Sequence, residues 1–276
     1  MRFLHIGDIV GRPGRKLVCA LARKLKEAYG LEFITANAEN AAAGSGLNLS
    51  IYRELIESGV DCVTMGDHTF KRREIIPVLE RESQIVRPAN YPPEAPGKGM
   101  ILLNIGMGAR CAVINLLGRV FMQPVDCPFH AVDKILRLLP ADVRVIVVDF
   151  HAEATSDKQI MGRYLDGRVT AVLGTHTHVA TADEQILPRG TAFQCDVGMA
   201  GPMESIIGRQ IDRVTETTLT ARPTLYEVAS NDVRIYGTIV DFNPISGRAL
   251  AIQRLVAGEA GVKISSTSAL VYEHTS

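Results

Sequence analysis

Apolar positions along this chain fall into two spacings, short runs that suit strands and three-to-four-residue recurrences that suit helices. Residues 2–6 run apolar into Gly7-Asp8; the segment Ile9-Val10-Gly11-Arg12-Pro13-Gly14-Arg15 follows, and then Leu17, Ala20, Leu21, Leu25 and Ala28 recur at helical spacing up to Gly30. This order predicts a strand, a turn and a helix that Gly30 stops. The unit recurs, with strands over 31–36 and 60–65 and helices over about 49–58 and 71–80, Asn48 or Ser50 capping the first of these. Residues 100–105 and 110–117 are β-rich with glycines between them, which predicts a hairpin. Helices over 130–139 and 157–165 flank a continuous apolar strand over 143–150, and β-rich runs over 169–173 and 191–195 come next. The last part, 224–229, 233–242 and 249–255, is antiparallel in pattern, with turns at Asn231-Asp232 and 244–247.

Repeated βα units followed by hairpins predict an α/β fold in which two sheets pack face to face with helices outside, a four-layer α/β/β/α sandwich. A single doubly wound sheet is the alternative. No linker, internal repeat or low-complexity segment divides the 276 residues, so one domain over 1–276 is expected.

Composition narrows the class of function. Thirty Lys plus Arg balance thirty Asp plus Glu with no block of like charge, which argues against a nucleic-acid binder that works by neutralising phosphates. The five cysteines form no CxxC pair, as expected of reduced thiols in a cytoplasmic protein. The chain opens on a strand rather than a charged and apolar leader, and no run approaches membrane-spanning length. A soluble cytoplasmic protein without membrane contact is the expectation, and a homo-oligomer.

Candidate chemistry sits where the apolar runs stop. They lead to Asp8, to Glu39 and Asn40, to Asp67 and His68, to His151, and to His176 and His178 within Gly174-Thr175-His176-Thr177-His178. Residues two apart in an extended segment point the same way, so the last two imidazoles share a side. In open α/β sheets the C-terminal edge of the strands is where ligands sit. Of these, Asp8, Glu39, Asp67, His151, His176 and His178, three carboxylates and three imidazoles, are too many for one catalytic zinc, which takes three ligands and keeps a position open. They suit two metals roughly 3.5–4 Å apart with a bridging carboxylate and hydroxide, an arrangement that clamps a phosphoryl group and stabilises both attacking and leaving oxygens. Hydrolysis of a phosphate ester follows as the expected reaction.

Other residues carry less. The segment from Gly11 to Arg15 reads equally as an anion site or a tight connection, since GxGxxG spacing is absent. His5 is expected in the core, His130 at a helix start and His274 in a tail, while Met65, Met161 and Met199 read as core filler. Glu153 and Asp196 either orient a ligand imidazole or stabilise turns.

Together, Gly7-Asp8-Ile9-Val10-Gly11, Asn37-Ala38-Glu39-Asn40, Gly66-Asp67-His68-Thr69, the stretch from Asp149 to Ser156, Gly174-Thr175-His176-Thr177-His178-Val179 and Asp196-Val197-Gly198-Met199 resemble the YmdB-like branch of the calcineurin-type metallophosphoesterases. The resemblance runs from Met1 to about Leu255. It implies the metallophosphoesterase sandwich and phosphodiesterase activity on 2′,3′-cyclic nucleotides or RNA-derived ends. It implies one metal on Asp8, Glu39 and His178, with Asn40, and a second on Glu39, Asp67, His151 and His176. Glu39 is the implied bridge and His68 the implied general acid. Iron or manganese is implied more than zinc, as divalent or mixed-valence ions. The family pattern Gly-Asn-His-Thr-Trp-Asp is here Gly66-Asp67-His68-Thr69-Phe70-Lys71, so a ligand amide has become a carboxylate. Those substitutions motivate an alternative, a nucleotide-sensing regulatory protein with little turnover. A metal amidohydrolase fits less well, because Asp8 stands where an early HxH would be.

Overall fold

The structure is a computed structural model that describes residues 1–258 and 260–265. The alternation of side chains along each strand sorts the buried residues into three cores. On the first strand, Arg2–Ile6, Leu4 and Ile6 face outward onto Val18, Ala22 and Leu25 of the helix Gly11–Tyr29. Phe3 faces the other way and meets Phe33 and Phe242, together with Val113, Val145 and Val147 of a second sheet. On that second sheet Ile146, Val148 and Phe150 point away again, onto Val132, Met161 and Leu165 of two further helices, Pro128–Leu138 and Thr155–Leu165. Helix, sheet, sheet, helix is therefore the layer order, the four-layer sandwich expected from the sequence.

The first sheet runs in the order Gly261–Ile264, Ala249–Gly258, Val233–Phe242, Arg2–Ile6, Phe33–Asn37, Cys62–Thr64, Ile85–Val86. Asp8–Ile9 and Met199–Pro202 pair with each other, and the latter also with Val233–Phe242. The second sheet runs Gln185–Ile186, Ala192–Gln194, Ala171–Thr175, Val145–His151, Arg110–Leu117, Met100–Asn104. Arg2–Ile6, Phe33–Asn37 and Cys62–Thr64 are parallel neighbours, and so are Val145–His151 and Ala171–Thr175, which brings their C-terminal ends to one edge. The hairpin at Met100–Asn104 and Arg110–Leu117 is antiparallel as expected.

Several local expectations change. The glycine-containing segment is not a turn: the helix begins at Gly11, and a Cβ on Gly14 would lie 1.9 Å from the Ala200 carbonyl oxygen, so this glycine serves close packing. The helix expected over 71–80 starts as a 3-10 turn, Arg73–Ile75, and becomes α-helical only at Ile76–Arg81, because Pro77 fits only the first turn of a helix. Residues 224–229 form no strand beyond a single bridge from Val228 to Arg209, and a helix stands before them at Ile211–Thr220. Asn48 caps Leu49–Glu57, its side chain accepting from the Ile51 amide at 3.0 Å. His130 lies within Pro128–Leu138, and His274 falls outside the described residues. Among the described residues no helix is long and apolar enough to cross a membrane.

Candidate metal centre

Asp8, Glu39, Asp67, His151 and His176 stand at the C-terminal ends of five strands, and the two parallel blocks bring them together. One ligand atom each from Glu39, Asp67, His151 and His176 lies within 4.8 Å of the others. His151 Nε2 is the hub, 3.2 Å from both Glu39 Oε1 and Asp67 Oδ1 and 3.0 Å from His176 Nδ1. A second group adjoins it: His178 Nε2 lies 3.7 Å from Asp8 Oδ1 and 3.2 Å from the Asn40 amide nitrogen, which also donates to Glu39 Oε1. All seven expected residues therefore converge, with His68 beside them.

Local backbone explains how. Gly66 cannot be replaced, since a Cβ there would lie 2.3 Å from the His151 ring and 2.5 Å from Glu39 Oε2. His176 and His178 both take positive φ, 99° and 66°, a conformation costly for side chains other than glycine. It is held from three sides. The His176 amide donates to Asp8 Oδ2 at 3.0 Å, His178 Nδ1 donates to the Ile207 carbonyl at 2.9 Å, and Thr177 donates both its amide and its hydroxyl to Asp196. Lys158, buried in its helix, completes Asp196 with an ion pair at 2.7 Å. Asp196 thus holds the turn between the histidines and touches neither ring, whereas Glu153 reaches His176 Nε2 at 3.1 Å. Lys158 was not legible as part of this site, because one lysine in an amphipathic helix gives no signal.

The electrostatics favour a cation. Burial opposes charge on His151, yet Glu39, Asp67 and Asp8 push its pKa well above the ordinary imidazole value. Burial likewise opposes charge on Asp67, but hydrogen bonds from His151 and His176 hold its carboxyl well below the usual range. Asp8 goes the other way, pushed up by burial against the pull of His178 and His151. Its Oδ1 is buried with no hydrogen-bond partner among the described residues. An orphaned carboxylate oxygen, two further carboxylates and three imidazoles with nitrogens turned inward form a mixed oxygen and nitrogen donor set suited to iron, manganese or zinc. The cluster can hold metal ions.

His68 lies on the rim, its side chain partly exposed. Its Nδ1 donates to Asn40 Oδ1 at 2.7 Å, leaving Nε2 3.7 Å from Asp67 Oδ2. His5 is a core residue as expected, but only half satisfied: Nδ1 meets Thr35 Oγ1 at 2.7 Å, while Nε2 makes no hydrogen bond among the described residues and lies 3.9 Å from Asp149 Oδ2.

Sandwich and cluster together define a metallophosphoesterase. The family model described as "YmdB-like protein" matches residues 4–255, and the chain belongs to that family. It is 43% identical, over 94% of its own length and 98% of the relative's, to the 2′,3′-cyclic-nucleotide 2′-phosphodiesterase of Bacillus subtilis. Two crystal structures superpose on it. A hypothetical protein from Thermus thermophilus is 42% identical with a TM-score of 0.87, covering 93% of this chain and 98% of that one. A Mycoplasma pneumoniae protein described as a novel phosphatase is 30% identical with a TM-score of 0.86, covering 93% and 92%.

Proposed function

We propose that this chain is a dinuclear metal phosphodiesterase that opens 2′,3′-cyclic nucleotides, or the cyclic ends of RNA fragments, at the 2′ ester. The observation that carries this reading is the convergence of Glu39, Asp67, His151 and His176 within 4.8 Å, next to a buried Asp8 oxygen that makes no hydrogen bond among the described residues. The activity of the B. subtilis relative supplies the substrate class.

In this reading Asp8, Glu39 and His178 hold one ion and Glu39, Asp67, His151 and His176 the other, with iron or manganese preferred. Bound there, the ions would supply an activated water and neutralise charge on the phosphoryl group. Glu39 serves both because its Oε1 lies between the two groups, 3.2 Å from His151 Nε2 and 3.3 Å from the Asn40 amide nitrogen that also meets His178, while the His68 amide anchors Oε2. Asn40 orients His68 through its carbonyl oxygen, whose second lone pair remains for an ion. With Nδ1 so engaged, His68 Nε2 is the nitrogen that can deliver a proton to the departing 2′-oxygen as the P–O2′ bond breaks. Glu153 fixes His176 from outside by accepting from Nε2.

Incubating purified protein with 2′,3′-cyclic nucleotides and Mn²⁺ or Fe²⁺ tests the reading. Many turnovers to the 3′-monophosphate are expected. Stoichiometric binding without product across Mn²⁺, Fe²⁺ and Zn²⁺ would favour a nucleotide sensor instead.

A further inference from the structure

Threonines alternate with histidines in Thr175-His176-Thr177-His178, and each threonine hydroxyl meets a buried carboxylate. Thr177 turns to Asp196. Thr175 turns the opposite way, into the layer between the sheets, where its hydroxyl donates to Asp149 Oδ1 at 2.6 Å. The same Thr175 oxygen lies 2.9 Å from His151 Nδ1. Asp149, His151 and Thr175 are all fully buried.

The hydrogen count around these three residues leaves one arrangement. Asp149 also accepts from the Thr64 hydroxyl and, at 3.3 Å, from the Asn37 amide, so Oδ2 is already supplied and Oδ1 is served by Thr175. A hydroxyl has one proton and can otherwise only accept. With that proton committed to Asp149, Thr175 must accept from His151, and Nδ1 must carry hydrogen. Asn37 Nδ2 is also 3.3 Å from His151 Nδ1, but its two hydrogens are taken by Asp149 Oδ2 and by the Met65 carbonyl at 3.2 Å. No donor is left for an unprotonated Nδ1. Nε2, which without an ion donates between Glu39 Oε1 and Asp67 Oδ1, is then the nitrogen whose proton a bound ion would replace.

We propose that Thr175 is a positioning residue through which the buried Asp149 fixes the tautomer and ring orientation of His151, making Nε2 its metal-facing nitrogen. This rests on the reading of the cluster as a metal centre. Metal-bound imidazoles commonly donate their second nitrogen to a carboxylate or carbonyl; here the donation passes through a hydroxyl, because Asp149 sits two residues before His151 on the same strand and cannot reach Nδ1 itself. Thr64 and Asn37 from one sheet and Thr175 from the other meet on this carboxylate, so it also ties the two sheets together beneath the site.

The test compares full-length wild type, Thr175→Val and Thr175→Ser. Calorimetric titration of chelator-treated protein with Zn²⁺ reads both ion sites, melting curves verify folding, and imidazole ¹⁵N shifts of the Zn²⁺-loaded protein read the His151 tautomer. Two ions are expected in the wild type, with hydrogen on Nδ1 of His151. Thr175→Val should weaken one of the two ions by about 10- to 100-fold, and Thr175→Ser should restore it. Wild-type affinity in a folded Thr175→Val protein would overturn the proposal while leaving the metal centre intact. Hydrogen on Nε2 of His151 in the wild type would do the same even if Thr175→Val does not fold. A wild type that binds no Zn²⁺, Mn²⁺ or Fe²⁺ would instead remove the metal centre itself, and the proposal with it.

Discussion

The layer between the two sheets has a dry end and a polar end built from the same strand faces. At the dry end Phe3 stacks on Phe33 with ring centroids 4.9 Å apart, Phe242 tilts against both, and Val145 and Val147 close over them. Two residues further along the same faces stand His5, Thr35 and Asp149, and two further again Asn37 and His151. The dry end is satisfied by contact alone. The polar end needs a hydrogen bond for every atom, and Asp8 Oδ1, His5 Nε2 and Asn115 Oδ1 make none among the described residues. Each such buried group costs about 1–3 kcal/mol. One face thus holds the sheets together at one end and spends part of that stability at the other on a donor set aimed at cations.

If this division is right, substitutions at the two ends should fail in different ways. The largest effect is expected from Glu39→Gln: a neutral amide cannot balance two ions, so metal analysis should find less than one per chain and cyclic-nucleotide turnover should vanish while the fold persists. His68→Ala should keep both metals and lose about 10²- to 10⁴-fold in turnover on cyclic nucleotides. Its loss on p-nitrophenyl phosphodiesters should be much smaller, because that leaving group needs no proton; equal losses would give His68 a positioning role. At the dry end, Phe33→Leu should cost about 2 kcal/mol of unfolding free energy for the methylene equivalents removed, read by denaturant titration, with metal content and turnover per folded chain unchanged. Smallest of all, Asp67→Asn should retain both ions and bind them about tenfold more weakly, roughly 1.4 kcal/mol, by calorimetric titration. An unchanged affinity would mean that Asp67 does not bring its charge to the ions.

The sequence showed the dry and polar ends unequally. Apolar runs disclosed most of the strands, and their endings in Asp8, Glu39, Asp67, His151 and His176 disclosed the edge where the cluster forms, because a charged group directly after a buried strand is conspicuous. Thr64 read as ordinary strand, and Asp149 and Thr175, though inside recognisable motifs, showed no role of their own, since that role exists only when Thr64 meets Asp149 across the sheets, 85 residues apart, and Thr175 meets it from the neighbouring strand, 26 residues apart. The helix Ile211–Thr220 was missed for another reason. Its Val214 and four threonines favour extended chain, and it buries no residue that would mark a helical stripe. Residues 224–229 looked like a strand from Leu225, Tyr226 and Val228, yet Leu225 and Tyr226 are exposed, and the run has no sheet to join.

Diffraction from crystals grown with Mn²⁺, recorded where manganese scatters anomalously, tests the central claim most directly. Two peaks are expected, one contacting Asp8, Glu39 and His178 and the other Glu39, Asp67, His151 and His176, with Glu39 touching both. Peaks absent from this edge of the sandwich, or a single peak that Glu39 does not touch, would contradict it.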